Sequence, residues 1–192
     1  MRHGFIRTTA VTPKIQVADT KGNGAETIRL AREAAENGAK IIVFPELGIT
    51  GYTCSDLFRQ DILLEGAQKA LQEIVAASKG MDGLFFAGLP LEINGKLYNV
   101  AAVLNYGNIL GFVPKTHIPN YNEFYEQRQF ASGAEAWTDE TVGAETIPFA
   151  SNQIFSCEGS PELAVGAQIS EGLRVPLTTS VNLAQCSAKL SD

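Results

Sequence analysis

The chain has 192 residues, 45% hydrophobic and 19% charged, which supports a packed core and excludes wholesale disorder. Fifteen Lys and Arg against 21 Asp and Glu give a net charge of −6 with no basic run, so nucleic acid and anionic membranes are poor partners. No stretch reaches the ~18–20 apolar residues of a membrane span, and Met1–Ala10 has no apolar leader core or cleavage pattern. The three cysteines, Cys54, Cys157 and Cys186, form no CxxC, and His3 and His117 lie far apart in sequence. A disulfide framework and a zinc site of ordinary ligand spacing are therefore not expected, and a reducing cytoplasm is.

In chain order, Phe5–Val11 reads as a short β-branched strand ending before Pro13. Lys21–Gly38 reads as a helix, with Ile28, Ala31 and Ala35 on one face, Leu30 and Ala34 beside them, and Gly38 as its terminator. Lys40–Phe44 is a continuous apolar run stopped by Pro45, the pattern of a strand buried on both faces. The helical period returns from Asp56 to Ser78, with Leu64, Ala67, Leu71 and Ile74 as its stripe. Leu84–Leu89 is a second buried strand. Asn94-Gly95 predicts a hairpin into Tyr98–Leu104, and Tyr106-Gly107-Asn108 a further turn into Ile109–Val113. Tyr121–Phe130 reads as a polar, aromatic functional loop or short helix. Glu145–Phe149, Gln153–Ser156 and Leu163–Ile169 read as strands, and no element is assigned beyond Val181. Helices between the early strands, then hairpins, predict one domain with a mixed α/β sheet carrying helices.

Three strand ends carry polar groups into loops. Glu46 follows the second strand, where rigidity and partial desolvation suit a general base. Lys115 lies between Pro114 and Pro119 and could steady a developing oxyanion. Ser170 and Glu171 follow the apolar run Leu163–Ile169, a common place for a nucleophile. These residues alone leave three plainer readings open: Glu46 as a solvated loop carboxylate, Lys115 as one surface cation among fifteen basic residues, and Ser170 as a cap or turn residue. His117 receives no role.

Taken together, FPELGITGYTCSDLF, GLPLEINGKLYN, GFVPKTHIPNYNEFYEQR and VGAQISEGLRVP resemble the nitrilase, or carbon–nitrogen hydrolase, superfamily. Within it, these segments and AVTPKIQVAD resemble the glutaminase domain of glutamine-dependent NAD+ synthetases, over about Phe5 to Pro176. The resemblance implies an α-β-β-α sandwich and a Glu–Lys–Cys triad that hydrolyses the glutamine side-chain amide, the ammonia passing to a separate synthetase domain. It implies Glu46 as base, Lys115 as transition-state stabiliser and position 170 as nucleophile. Tyr52, Tyr121, Glu126 and Glu171 would line the glutamine pocket or the mouth of the ammonia route. ATP and magnesium would belong to the synthetase domain, and no P-loop motif occurs here.

Two departures stand out. Serine occupies position 170, where the family has cysteine, and the residues after it also differ. The family domain also continues beyond the length of this chain, so residues 1–192 are expected to form one nitrilase-like domain incomplete at its C-terminal side, with self-association covering exposed sheet edges. The resemblance implies a glutaminase impaired by Ser170. The alternatives are a catalytically silent binding or assembly module of the same fold, or an amidase for another small amide.

Overall fold

The computed structural model describes residues 5–142, 145–176, 178–186 and 190–191. Met1–Gly4, part of the stretch read for a leader, lie outside the described residues, as does Leu177. Along the chain run β1 (Thr8–Ala10), α1 (Thr20–Glu36), β2 (Ile41–Val43), α2 (Asp61–Ser78), β3 (Leu84–Ile93), β4 (Lys96–Asn105) and β5 (Asn108–Pro114). There follow β6 (Trp137–Val142), β7 (Glu145–Ala150), β8 (Ile154–Cys157), β9 (Ser160–Gly166), α3 (Thr179–Gln185) and β10 (Leu190–Ser191). Single 3₁₀ turns cover Ser55–Arg59, Glu126–Arg128 and Ser170–Leu173.

The strands form a mixed seven-stranded sheet, ordered β1-β2-β3-β4-β5-β7-β6, and a second sheet, ordered β10-β9-β8. β1, β2 and β3 are parallel, and α1 and α2 are the crossovers that parallel pairing requires. β3, β4 and β5 are antiparallel and joined by tight turns. The Asn94-Gly95 turn has φ of 51° and 72°, the double left-handed geometry of a type I′ hairpin.

Alternation along the strands divides the interior. Ile42, Phe85, Leu89, Val100, Ala102 and Leu104 face the helices in one cluster with Ala31, Ala67, Leu71 and Ile74. Ile41, Phe86, Val103 and Val113 face the opposite way and meet Val165 of β9 and Ala167 just beyond its end. A Cβ on Gly166, between those two, would lie 2.8 Å from Leu183 Cδ1, so α3 covers the far side of β9. The layers are therefore helices, large sheet, small sheet and one short helix, an α-β-β-α order.

Several boundaries move from those expected. The α1 face is Asn23, Gly24, Thr27, Ala31 and Ala34, with Ile28, Leu30 and Ala35 only partly buried. The reason is a seam of small residues, since a Cβ on Gly24 would lie 3.0 Å from Ala70 Cβ of α2. The Asp56–Ser78 helix is split, because Gln60 is extended at φ −95°, ψ 121°. The last strand run ends at Gly166, before Gln168. β6 was not expected from its polar composition; among the described residues it pairs only with β7, at the sheet edge, and needs no apolar stripe on both faces. α3 and β10 lie in the stretch that carried little or no reading.

Candidate active site

Glu46 owes its place to a turn that closes immediately after β2. Pro45 ends the strand, and the chain folds back through Gly48 N–H to Pro45 O (3.0 Å) and Gly51 N–H to Leu47 O (2.7 Å). Ile49 N–H bonds Gly88 O of β3 at 3.1 Å, pinning the turn onto the sheet. Position 88 admits only glycine here, since a Cβ would come within 2.5 Å of Leu47 N and Pro45 O. Leu47 takes a left-handed φ of 50° and is wholly buried with Cys54, Phe58, Leu63 and Phe130. From behind, buried Asn23 donates to Gln16 O (2.7 Å) and Ile49 O (3.1 Å) and accepts from Gln16 N–H (2.8 Å).

Lys115 follows β5 directly. Its N–H bonds Asn99 O of β4 at 2.8 Å, and its carbonyl accepts from Gly133 N–H at 2.9 Å. Its side chain is 1% exposed, a burial an ammonium tolerates only when paired. Nζ donates to Glu46 Oε1 at 2.7 Å and to Glu126 at 3.0 and 2.8 Å, so both carboxylates share one cation. Asn99 Nδ2 donates to the same Glu46 Oε1 at 2.5 Å. Tyr52 Oη donates to Glu126 Oε1 at 2.5 Å. Burial, reinforced by that carboxylate, pushes the Tyr52 phenol well above its ordinary range, so it stays a donor.

Ser170 opens the 3₁₀ turn beyond β9 and takes a left-handed φ of 42°. A non-glycine residue held there is strained, as residues at functional turns often are. Val165 and Ala167 pack in one cluster with Val113, two residues before Lys115, so the ends of β9 and β5 lie in adjoining layers. Ser170 is itself exposed, and among the described residues its hydroxyl makes no hydrogen bond to Glu46 or Lys115. Its neighbour Glu171 accepts from Tyr121 Oη at 2.7 Å, a bond that also raises the Tyr121 phenol. Thr116 Oγ1 reaches Thr179 Oγ1 at 3.4 Å, joining the segment after Lys115 to the segment after Ser170.

The site residues thus fall into two groups. Glu46, Lys115, Glu126 and Tyr52 form one continuous network; Tyr121 and Glu171 form a separate pair beside Ser170. Glu126 contacts Lys115 as well as Tyr52. Asn99 belongs to the first network and was not singled out from sequence, although an asparagine inside the apolar run Tyr98–Leu104 is a visible signal. A cavity of about 280 Å³ adjoins the first network, lined by Tyr52, Phe58, Glu123, Phe124, Tyr125 and Glu126 among others. Cys54 is buried, its thiol bonded to Thr50 O and pushed up by burial, which suits a structural thiol. His117 contacts the hydroxyl of adjacent Thr116. Among the described residues no cluster of three His, Cys, Asp or Glu side chains could hold a metal, and no helix is long and apolar enough to cross a membrane.

Residues 7–189 match the carbon-nitrogen hydrolase family model. The glutamine-dependent NAD(+) synthetase of Mycobacterium tuberculosis is 34% identical over 187 residues, which is 97% of this chain and 28% of that protein. The Aquifex aeolicus protein of the same name is 35% identical over 139 residues, 72% of this chain and 24% of its own length. The chain therefore spans about 28% of the length of the first of these relatives. The crystal structure of a glutamine-dependent NAD(+) synthetase from Cytophaga hutchinsonii superposes with a TM-score of 0.79 at 28% identity, over 86% of this chain and 28% of that one. A mutant amidase from Nesterenkonia sp. AN1 superposes with a TM-score of 0.75 at 18% identity, over all of this chain and 65% of that one, a likeness of fold alone.

Proposed function

The chain belongs to the carbon–nitrogen hydrolase family, and from that premise we propose that it is a glutaminase domain of the glutamine-dependent NAD+ synthetase kind, slowed by serine at position 170. The observation that carries this reading is the buried Lys115 ammonium bound to Glu46, the two residues following β5 and β2 of the same sheet. Such a pair supplies a base and a fixed positive charge without a metal. In this reading the Ser170 hydroxyl attacks the side-chain amide carbon of glutamine while Glu46 takes its proton. Lys115 stabilises the oxyanion of the tetrahedral intermediate. Glu46 returns the proton to the departing nitrogen, releasing ammonia and leaving a γ-glutamyl ester. Water, deprotonated by Glu46, then releases glutamate.

Serine slows both activation and attack. A free thiol titrates near ~8.5, whereas an alcohol stays protonated at neutral pH and relies wholly on the base. The cavity beside Tyr52 and Glu126 has room for an amino acid, with the Glu123 carboxylate in its lining available to an ammonium group. Tyr121 and Glu171 would border the same substrate from the side of Ser170. The ammonia would pass to a synthetase unit, and self-association would cover sheet edges.

The test is release of ammonia and glutamate from glutamine by the chain and by Ser170→Cys. Turnover that rises at least tenfold in Ser170→Cys supports the glutaminase reading. No turnover in either chain overturns it and favours a silent module, the reading suggested by the exposure of Ser170 and its lack of a bond to Glu46. A preference for a different small amide would favour another amidase of the family.

A further inference from the structure

We propose that Asn99 is the positioning residue of this site, setting both the spacing of Glu46 from Lys115 and which Glu46 oxygen acts as the base. Asn99 touches both partners at once. Its backbone carbonyl accepts the Lys115 N–H at 2.8 Å, and its side-chain Nδ2 donates to Glu46 Oε1 at 2.5 Å. Lys115 Nζ closes the ring on the same Oε1 at 2.7 Å. One residue in the middle of a rigid strand therefore holds a carboxylate from the β2 turn and a lysine from the end of β5.

The other half of the Asn99 amide shows what the residue is for. Asn99 is completely buried, and its Oδ1 has no hydrogen-bond partner. An orphaned buried acceptor is a cost to the fold that a leucine of similar size would escape. The gain from asparagine lies in the charge-assisted bond from Nδ2 to Glu46. With Asn99 and Lys115 both on Oε1, Oε2 has no hydrogen-bond partner among the described residues and is the oxygen left to receive a proton.

This inference rests on the reading of Glu46 as the base, so the test separates the two. In a Ser170→Cys background, the alkylation rate by iodoacetamide is read by mass spectrometry on the peptide carrying position 170. Glu46→Gln slows alkylation if Glu46 serves that position; an unchanged rate would overturn the base role and with it the functional reading. Asn99→Leu is expected to hold or raise the melting temperature while slowing alkylation at least tenfold. A purely structural role would instead lower the melting temperature and leave the rate alone. Asn99→Ala is the second variant should Asn99→Leu fail to fold. Independently of any reactivity, a crystal structure of the Asn99 variant should show Glu46 rotated away from Lys115. An unmoved Glu46 carboxylate overturns the proposal whatever the alkylation rates are.

Discussion

Lys115 and Glu126 meet through both carboxylate oxygens, at 3.0 and 2.8 Å, with the lysine 1% and the glutamate 8% exposed. The third ammonium proton goes to Glu46. Lys115 therefore has no proton free for a substrate oxygen in this arrangement, and binding must displace one of its carboxylates. Glu126 is also held by Tyr52, so substrate must compete with an established network rather than enter an empty one.

Removal of the cation should be severe. Lys115→Met leaves two carboxylates facing each other without their partner and is expected to cost about 3–5 kcal/mol of stability, the range for breaking a buried ion pair. Urea unfolding of the variant against the parent measures this. A loss under ~1 kcal/mol would mean the two glutamates are solvated in the folded protein.

Gly88→Ala should damage the site without touching an ionisable group. The new methyl group would overlap the backbone of the Pro45–Leu47 turn, and overpacking of this kind costs about 1–3 kcal/mol. The same displacement moves Glu46. Loss of glutaminase activity in a Ser170→Cys background, at a temperature where the variant remains folded, is the expected result.

Asn23→Ala removes three hydrogen bonds to Gln16 and Ile49 from a buried position. Orphaned buried groups cost about 1–3 kcal/mol. Thermal unfolding should show the loss. Amide exchange should show it concentrated in the Gly48–Gly51 turn, while the β3–β4 ladder keeps its protection.

The acid limb of stability should depend on Asp56. Arg128, with help from Gln129, holds its carboxyl at about 2, below the unfolded value of about 3.9. A depressed folded pKa contributes stability above the unfolded value and loses it as pH falls toward 2. Asp56→Asn should flatten the melting temperature between about pH 4 and 2, an effect kept small by exposure and reduced further by salt. Tyr52 acts at the other end. Its raised pKa makes folding lose stability as pH climbs above the ordinary phenol value of about 10, and Tyr52→Phe should remove part of that slope.

Most of the scaffold was legible because its signals are local. Continuous apolar runs marked β2 and β3, a 3.6-residue stripe marked α2, and Asn94-Gly95 marked the hairpin. The α1 face was misjudged because close approach to Ala70 rewards small residues over large apolar ones. β6 stayed hidden because an edge strand is specified by its ladder with β7, which a polar segment forms as readily as an apolar one.

Sequence by itself determined the family, the order of strands and helices from β1 to β5, and the candidates Glu46, Lys115 and position 170, since motif spacing and periodicity are properties of the chain. Tertiary structure alone decided how those groups share charge. Glu46, Asn99, Lys115 and Glu126 come from three strand regions and a loop separated by up to 80 residues, and only folding brings them within hydrogen-bond distance. Once water is excluded, each buried charge must find a partner, and that requirement turns four scattered residues into one network.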